Sequence, residues 1–297
     1  MKQKKSENNL TPQRFFDLAK SLADQLRLRY TELDSIHGRS LAGQTNQFGD
    51  KTLVADWELE ETVIKFWQSA GFKIGWIAEE HPVLFNKNEV DYIGYLDGLD
   101  GSSVYKANEG GRCGTMMSIY QASDQTFAGY VGSLIVDYGN HKIGGDCSYI
   151  AAQGLGAWAD LVLKEKYLQI NVTSDGRMRQ LRKDLFAYAD LYFGVVRKAT
   201  KKIAKVKFRY LKASMPYYAD LAQGYAWVVI ECTRKRSLEI AAAYPLVHEA
   251  GGVIIDLSSN QELGELDRSL AEANEQIIIS AASLEIAKTI GQAIVSS

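Results

Sequence analysis

After Thr11-Pro12, a favourable helix start, apolar residues recur at Phe15, Leu18, Leu22 and Leu26, the spacing of one helix face. A second amphipathic helix is predicted from near Asp56, with Trp57, Glu60, Ile64 and Trp67 at successive turns. Asp56 then sits at or near a helix N-terminus, where aspartate also serves as a cap, and Glu60 lies one turn along the same face. Ile93 to Leu96 is a short apolar run that reads as a buried strand. From Arg112 to Trp158 the texture changes to apolar runs broken by glycine, at Met116 to Tyr120, Tyr130 to Val136, Ile143 to Gly145 and Tyr149 to Gln153. These predict antiparallel strands of one sheet, closed by the turn Gly154-Leu155-Gly156-Ala157-Trp158.

After about Leu163 the pattern predicts strands at Tyr167 to Val172, around Leu185 to Phe193 and at Ala226 to Ile230, with a helix near Tyr217 to Gln223. A helix from about Leu238 to Ala250 is ended by Gly251-Gly252 and carries Pro245, which predicts a kink or a lost backbone bond. A last strand, Ile277 to Ser280, precedes a helix that Ser283 can cap. The change of texture divides the chain into an N-terminal part, 1–165, and a C-terminal part, 166–297. No repeat or proline-rich linker marks the boundary.

Composition narrows the class. With 297 residues and 46% hydrophobic content the chain can bury a large core without staples. A formal charge of −2 gives no general attraction to nucleic acid or anionic membrane. Cys113, Cys147 and Cys232 are odd in number and lack metal-ligand spacing, so they read as small buried hydrophobes. No apolar run approaches the roughly 18 residues of a membrane helix, and the polar N-terminus has no signal-like core. A cytoplasmic protein is expected.

The chemistry concentrates in Tyr95-Leu96-Asp97-Gly98-Leu99-Asp100-Gly101-Ser102-Ser103. Two carboxylates three positions apart are hard oxygen ligands suited to Mg²⁺, and Gly-Ser-Ser lets backbone N–H groups approach a phosphate oxygen. The same residues also build ordinary turns, so the string alone leaves both readings open. Other elements occur in order around it: Gly49-Asp50-Lys51-Thr52-Leu53-Val54-Ala55-Asp56 with Glu60 beyond, Trp76-Ile77-Ala78-Glu79-Glu80, Leu238-Glu239-Ile240-Ala241-Ala242, and Glu249-Ala250-Gly251-Gly252. Together these resemble the motifs of the Mg²⁺-dependent, lithium-sensitive phosphatases that include inositol monophosphatase and fructose-1,6-bisphosphatase. The resemblance covers residues 45 to 256.

That resemblance implies an α+β fold, a layered α/β/α/β/α sandwich with two mainly antiparallel or mixed sheets, and a homodimer. It implies that Glu79, Asp97, Asp100, Glu239 and the Leu99 carbonyl bind two or three Mg²⁺ ions, with Li⁺ as an inhibitor. Gly101, Ser102 and Ser103 would hold the phosphate, and Asp56 with Ser102 would orient and deprotonate the attacking water. Glu79 belongs to this catalytic set, while Glu80 and Glu60 would support the ligands from behind. Two positions depart from the pattern. Gly98 replaces the family's proline, which predicts a more mobile loop, and Glu239 replaces the usual aspartate of the inositol branch.

Substrate is less legible. Glu231 resembles a hydroxyl-binding acid of the inositol branch, offset by one residue; Arg236 matches a basic residue of the archaeal fructose-bisphosphatase branch; Ser214 resembles the Ser of a Gly-Ser before a helix. The expected reaction is hydrolysis of a small sugar or cyclitol phosphate, with fructose-1,6-bisphosphate or a 3'(2'),5'-bisphosphate nucleotide as alternative substrates. A phosphate-binding relative without turnover is an alternative of another class. The basic stretch Arg197 to Lys212 admits three readings: a solvated strand face, contacts to a second substrate phosphate, or single-stranded nucleic acid held by Lys205, Lys207 and Arg209. The alternation of Val206, Phe208 and Tyr210 with the cations favours the solvated face over nucleic acid. His37, His81, His141 and His248 fall outside the matched motifs and read as surface or helix-face residues.

Overall fold

Two sheets divide the chain in the computed structural model, which describes residues 9–33, 35–46, 49–81, 89–107, 111–124, 126–139, 147–161, 166–172, 186–203, 206–233, 238–264, 266 and 276–295. The first sheet has seven strands in sequential order: β3 (Ile74–Ala78), β4 (Tyr92–Asp100), β5 (Gly114–Gln121), β6 (Tyr130–Asp137), β7 (Cys147–Ala152), β8 (Gly156–Leu161) and β9 (Lys166–Ile170). Only β3 and β4 run parallel; each later neighbour is antiparallel. The second sheet is mixed, with β11 (Phe208–Arg209), β10 (Phe186–Ala189), β12 (Ala226–Thr233), β15 (Gln276–Ala281), β13 (Val253–Asp256) and β14 (Gln261–Glu262) side by side. A small hairpin of β1 (Leu41–Thr45) and β2 (Lys51–Leu53) stands apart from both.

Helices fill the layers between and outside the sheets. α1 (Pro12–Glu32) and α2 (Val54–Ser69) cover one face of the seven-stranded sheet, burying Phe15, Leu22, Leu26, Leu59 and Trp67 against it. The short α3 (Ser102–Ala107) leaves the end of β4, and α4 (Gly194–Lys201) follows β10. α5 (Met215–Ala222) and α6 (Leu238–Glu249) lie between the sheets, and α7 (Leu284–Val295) joins α4 on the outer face of the second sheet. The order is α/β/α/β/α, as the resemblance implied. Because both sheets are covered on both faces, β4 and β6 are buried at every position rather than alternating.

The central helix α6 is apolar nearly all round, with Leu238, Ile240, Ala241, Ala242, Leu246 and Val247 buried. Pro245 cannot donate to the carbonyl one turn earlier, that of Ala241. Two hydroxyls of β5 take its place: Ser118 Oγ donates to Ala241 O at 2.9 Å and Tyr120 Oη at 2.8 Å. The bond Pro245 removes is thereby converted into a tie between α6 and the first sheet. A second tie is Arg112, whose guanidinium bonds Asp137 at 2.8 Å and Asp220 of α5 at 2.8 Å, with Tyr188 of β10 donating to the other Asp220 oxygen.

Other expectations resolve in detail. The strand expected around Leu185 to Phe193 ends at Ala189, and helix α4 begins at Gly194. Ile143 to Gly145, Lys205, Arg236 and His141 lie outside the described residues. Lys207 and Arg209 are exposed while Val206, Phe208 and Tyr210 are half-buried, as a solvated edge strand requires. The three cysteines are free and buried. Among the described residues no helix is long and apolar enough to cross a membrane. The Gly154 to Trp158 turn is the β7–β8 hairpin, and Glu249 clamps it by accepting from the N–H groups of Gly154 and Gly156, each at 2.8 Å.

If the Ala241 carbonyl is satisfied as described, the double variant Ser118→Ala/Tyr120→Phe leaves it buried without a partner. The expected cost is about 1–3 kcal/mol, read as a lower urea midpoint at unchanged slope.

Candidate active site

In a regular strand, residues three apart point to opposite faces. Asp97 and Asp100 escape that rule through a bulge: Asp97 pairs with Met116 and Asp100 with Gly114, so Gly98 and Leu99 oppose Thr115 alone. Met116 and Gly114 share a face of β5, and the extra residue therefore brings both carboxylates to the same side. The bulge is pinned at both ends. Leu99 N–H donates to Asp97 Oδ1 at 3.0 Å, and Thr115 Oγ1 donates to the Gly98 carbonyl at 2.7 Å.

Gly98 is not the mobile position its replacement of proline predicts. It is buried within β4, and a Cβ placed there would lie 2.4 Å from the Asp56 carbonyl oxygen and 2.7 Å from Glu60 Cγ. Glycine is needed because the first turn of α2 packs directly on the bulge. That contact sets the distance from Asp56 to Asp97. Gly101 is the other required glycine: its φ of +85° is left-handed, and it turns the chain from β4 into α3.

Asp56 is the third residue of α2, and its Oδ2 accepts from Leu53 N–H at 3.1 Å, so the capping and chemical readings coincide on one side chain. Burial, then the charge of Glu80, pushes its carboxyl up to about 8. Glu79 and Glu80 follow β3, and Glu79 N–H bonds the Leu96 carbonyl at 3.2 Å, which seats Glu79 beside Asp97. Asn46 Nδ2 donates to both glutamates at 3.3 Å, and Thr52 donates a short bond to Glu80. Glu80 is pushed up to about 7, chiefly by burial.

Asp97 is raised well above the carboxylate range by burial and by the charges of Glu79, Asp100, Glu239 and Asp56, all acting in one direction. Asp100 is raised less, to about 6, because the Met215 and Ser214 N–H groups at the start of α5 bond its carboxylate and oppose burial. Glu239 stands in the first turn of α6 and is pushed up to about 8 by burial and Glu79. Glu231 is buried and bonded by Tyr218 and Ser214, with its carboxyl also raised by burial to about 7. The N–H groups of Ser102 and Ser103, the first of α3, meet no acceptor among the described residues.

Asp56, Glu79, Asp97, Asp100 and Glu239 thus lie within one another's fields, drawn from α2, β3, β4 and α6. Among the described residues no three His, Cys, Asp or Glu side chains close into a ready ligand group. The set is hard oxygen throughout, its members repel, and a divalent cation is the partner that such donors fit. Three elements of this site lay outside the motifs: Asn46, the Thr115 latch on the bulge, and His81. His81 is not on a helix face; its ring stacks on Trp57 and its Nδ1 lies 2.8 Å from Glu60. His37 and His248 are exposed as expected. The spacing Asp56-Trp57 with Glu60 was the one signal for the stack that the sequence held.

A layered α/β/α/β/α fold with a convergent set of buried carboxylates defines a class, the sugar-phosphatase fold. The sequence pattern of the inositol monophosphatase family matches residues 16–292, and the chain belongs to that family and is a phosphatase. No curated protein matches it by sequence. Among solved structures it resembles the extragenic suppressor protein suhB of Bartonella henselae at 17% identity and TM-score 0.70, covering 95% of this chain and 98% of that one. A Leishmania major fructose-1,6-bisphosphatase superposes at 14% identity and TM-score 0.67, covering 96% and 95%. An IMPase/NADP phosphatase complexed with NADP and Ca²⁺ does so at 16% and 0.68, covering 96% and 97%.

Two outcomes are expected. Carboxyl groups near pH 4 when unfolded and at about 6 to 8 when folded favour the fold while protonated, so their contribution is full below about pH 4 and is lost as pH rises through about 8. The metal-free protein should melt at a lower temperature at about pH 8 than at about pH 5, and Mg²⁺ should raise the melting temperature more at the higher pH. Gly98→Ala should cost about 1–3 kcal/mol in urea unfolding, because the new methyl meets backbone rather than a flexible side chain.

Proposed function

We propose that this protein is a Mg²⁺-dependent phosphomonoesterase acting on a small sugar or cyclitol phosphate. The observation that carries the reading is the β4 bulge, which turns Asp97 and Asp100 to one face, within the fields of Glu79 and Glu239. Glu79, Asp97, Asp100, Glu239 and the Leu99 carbonyl would hold the cations. When bound, Mg²⁺ would neutralise phosphate charge and lower the pKa of the attacking water. The similar solved structure complexed with NADP and Ca²⁺ supports a divalent cation and a phosphate-bearing ligand here.

The chain's own groups supply the rest. Ser102 and Ser103 N–H groups, with Gly101, would receive the phosphate oxygens where β4 turns into α3. Asp56, with a carboxyl near neutrality, is suited to take a proton from water that Ser102 helps orient. Glu80 and Glu60 hold the approach from behind. Glu231 and Ser214, already bonded to one another, stand on the α5 side of Asp100 and would meet the sugar hydroxyls; Arg236 would act from the segment before α6. Lithium is the expected inhibitor, a homodimer the expected assembly, and the buried free cysteines fit the reducing cytoplasm.

The test is phosphate release from inositol, hexose, bisphosphate and nucleotide phosphomonoesters with Mg²⁺ varied, wild type beside Asp97→Asn. Turnover that needs Mg²⁺ and falls at least about 100-fold in Asp97→Asn is expected. No turnover on any substrate from protein that binds Mg²⁺ would instead make it a ligand-binding relative.

A further inference from the structure

Three successive backbone N–H groups, those of Glu79, Glu80 and His81, converge on a single carboxylate. Glu60 Oε1 accepts from Glu79 N at 2.9 Å and Glu80 N at 3.1 Å, and Oε2 accepts from His81 N at 3.0 Å. Successive N–H groups curled in this way form a concavity that ordinarily binds an external anion. Here the protein fills it from within. Glu60 is completely buried, so burial raises its carboxyl while the His81 ring and the loop N–H groups act to lower it. The charge is tolerable only while those donors stay in place.

His81 closes the arrangement. Its Nδ1 lies 2.8 Å from Glu60 Oε2, and its ring stacks on Trp57 with centroids 3.7 Å apart and planes at 23°. Trp57 is the residue after Asp56 and lies one turn before Glu60 on α2. One face of α2 therefore holds the loop that carries Glu79 and Glu80, through a carboxylate and an aromatic lid.

We propose that His81 and Trp57 are positioning residues for the metal site: by capping Glu60 they fix the backbone of Glu79 and Glu80, and so set the affinity for Mg²⁺. The inference rests on the reading of Glu79 as a metal ligand. Neither residue is among the proposed cation or phosphate ligands; among the described residues His81 meets Glu60 and Trp57. Removing a group that orients a ligand from behind typically weakens metal binding about 10- to 100-fold.

The experiment measures the rise in melting temperature of the full-length protein across a Mg²⁺ titration, together with the Mg²⁺ half-saturation and the substrate KM of phosphate release. Wild type, His81→Ala, His81→Asn and Trp57→Leu are compared. His81→Ala and Trp57→Leu should shift both Mg²⁺ midpoints upward about 10-fold or more with substrate KM little changed. His81→Asn, which keeps a donor near Nδ1, should recover much of the loss. Variants that melt earlier but keep the wild-type Mg²⁺ midpoint would overturn the proposal and leave His81 a fold-stabilising residue. A wild type whose melting does not respond to Mg²⁺ would instead overturn the metal reading itself. Should His81→Ala fail to fold, Trp57→Leu carries the same comparison.

Discussion

Confining several carboxylates to one buried pocket is the constraint on which this structure turns. Burial disfavours each charge, and every neighbour of the same sign disfavours it further, so Asp56, Glu80, Asp97, Asp100 and Glu239 all have raised pKa values. Such a site costs stability when no cation is bound. It persists because Asp56, Glu80 and Asp100 are held by donors from elements other than their own, and because the elements are locked to one another at points away from the pocket.

Those donors explain much of the architecture. Asn46 and Thr52 reach Glu80 from the hairpin of β1 and β2, Glu60 reaches the Glu79–His81 backbone from α2, and α5 offers Ser214 and Met215 N–H groups to Asp100. The Ala241 carbonyl, released by Pro245, anchors α6 and hence Glu239 to β5. Arg112 binds Asp137 at the end of β6 and Asp220 of α5, so the layer between the sheets is tied to the first. Burial works against its charge, but the two aspartates more than reverse this and keep it protonated. A buried pair of this kind gives registry more than net stability.

The two departures from the family pattern separate on physical grounds. Gly98 is compensated locally: the proline's fixed φ is gone, yet the Thr115 hydroxyl, the Leu99 N–H and the first turn of α2 define the bulge, and the close approach of that turn admits nothing larger than glycine. Glu239 keeps a carboxylate in the first turn of α6, under the field of Glu79 and Asp100. Its extra methylene changes reach without changing donor type.

Period and punctuation alone determined a good deal. The helix beginning at Thr11-Pro12, the glycine-broken strands after Arg112 and the helix ended by Gly251-Gly252 are local consequences of apolar spacing and turn chemistry, and the acidic motifs singled out Glu79, Asp97, Asp100 and Glu239, carboxylates that the fold brings near one another. What the chain could not reveal is how residues distant in sequence share a face. Period-2 logic places Asp97 and Asp100 on opposite sides of a strand, and only the pairing with β5 shows the bulge that reunites them. His81 looked like a surface residue because its partners, Trp57 and Glu60, are brought to it by the packing of α2 against the end of β3. Tertiary structure decided these points because hydrogen bonds between separate elements depend on distances that sequence spacing does not encode.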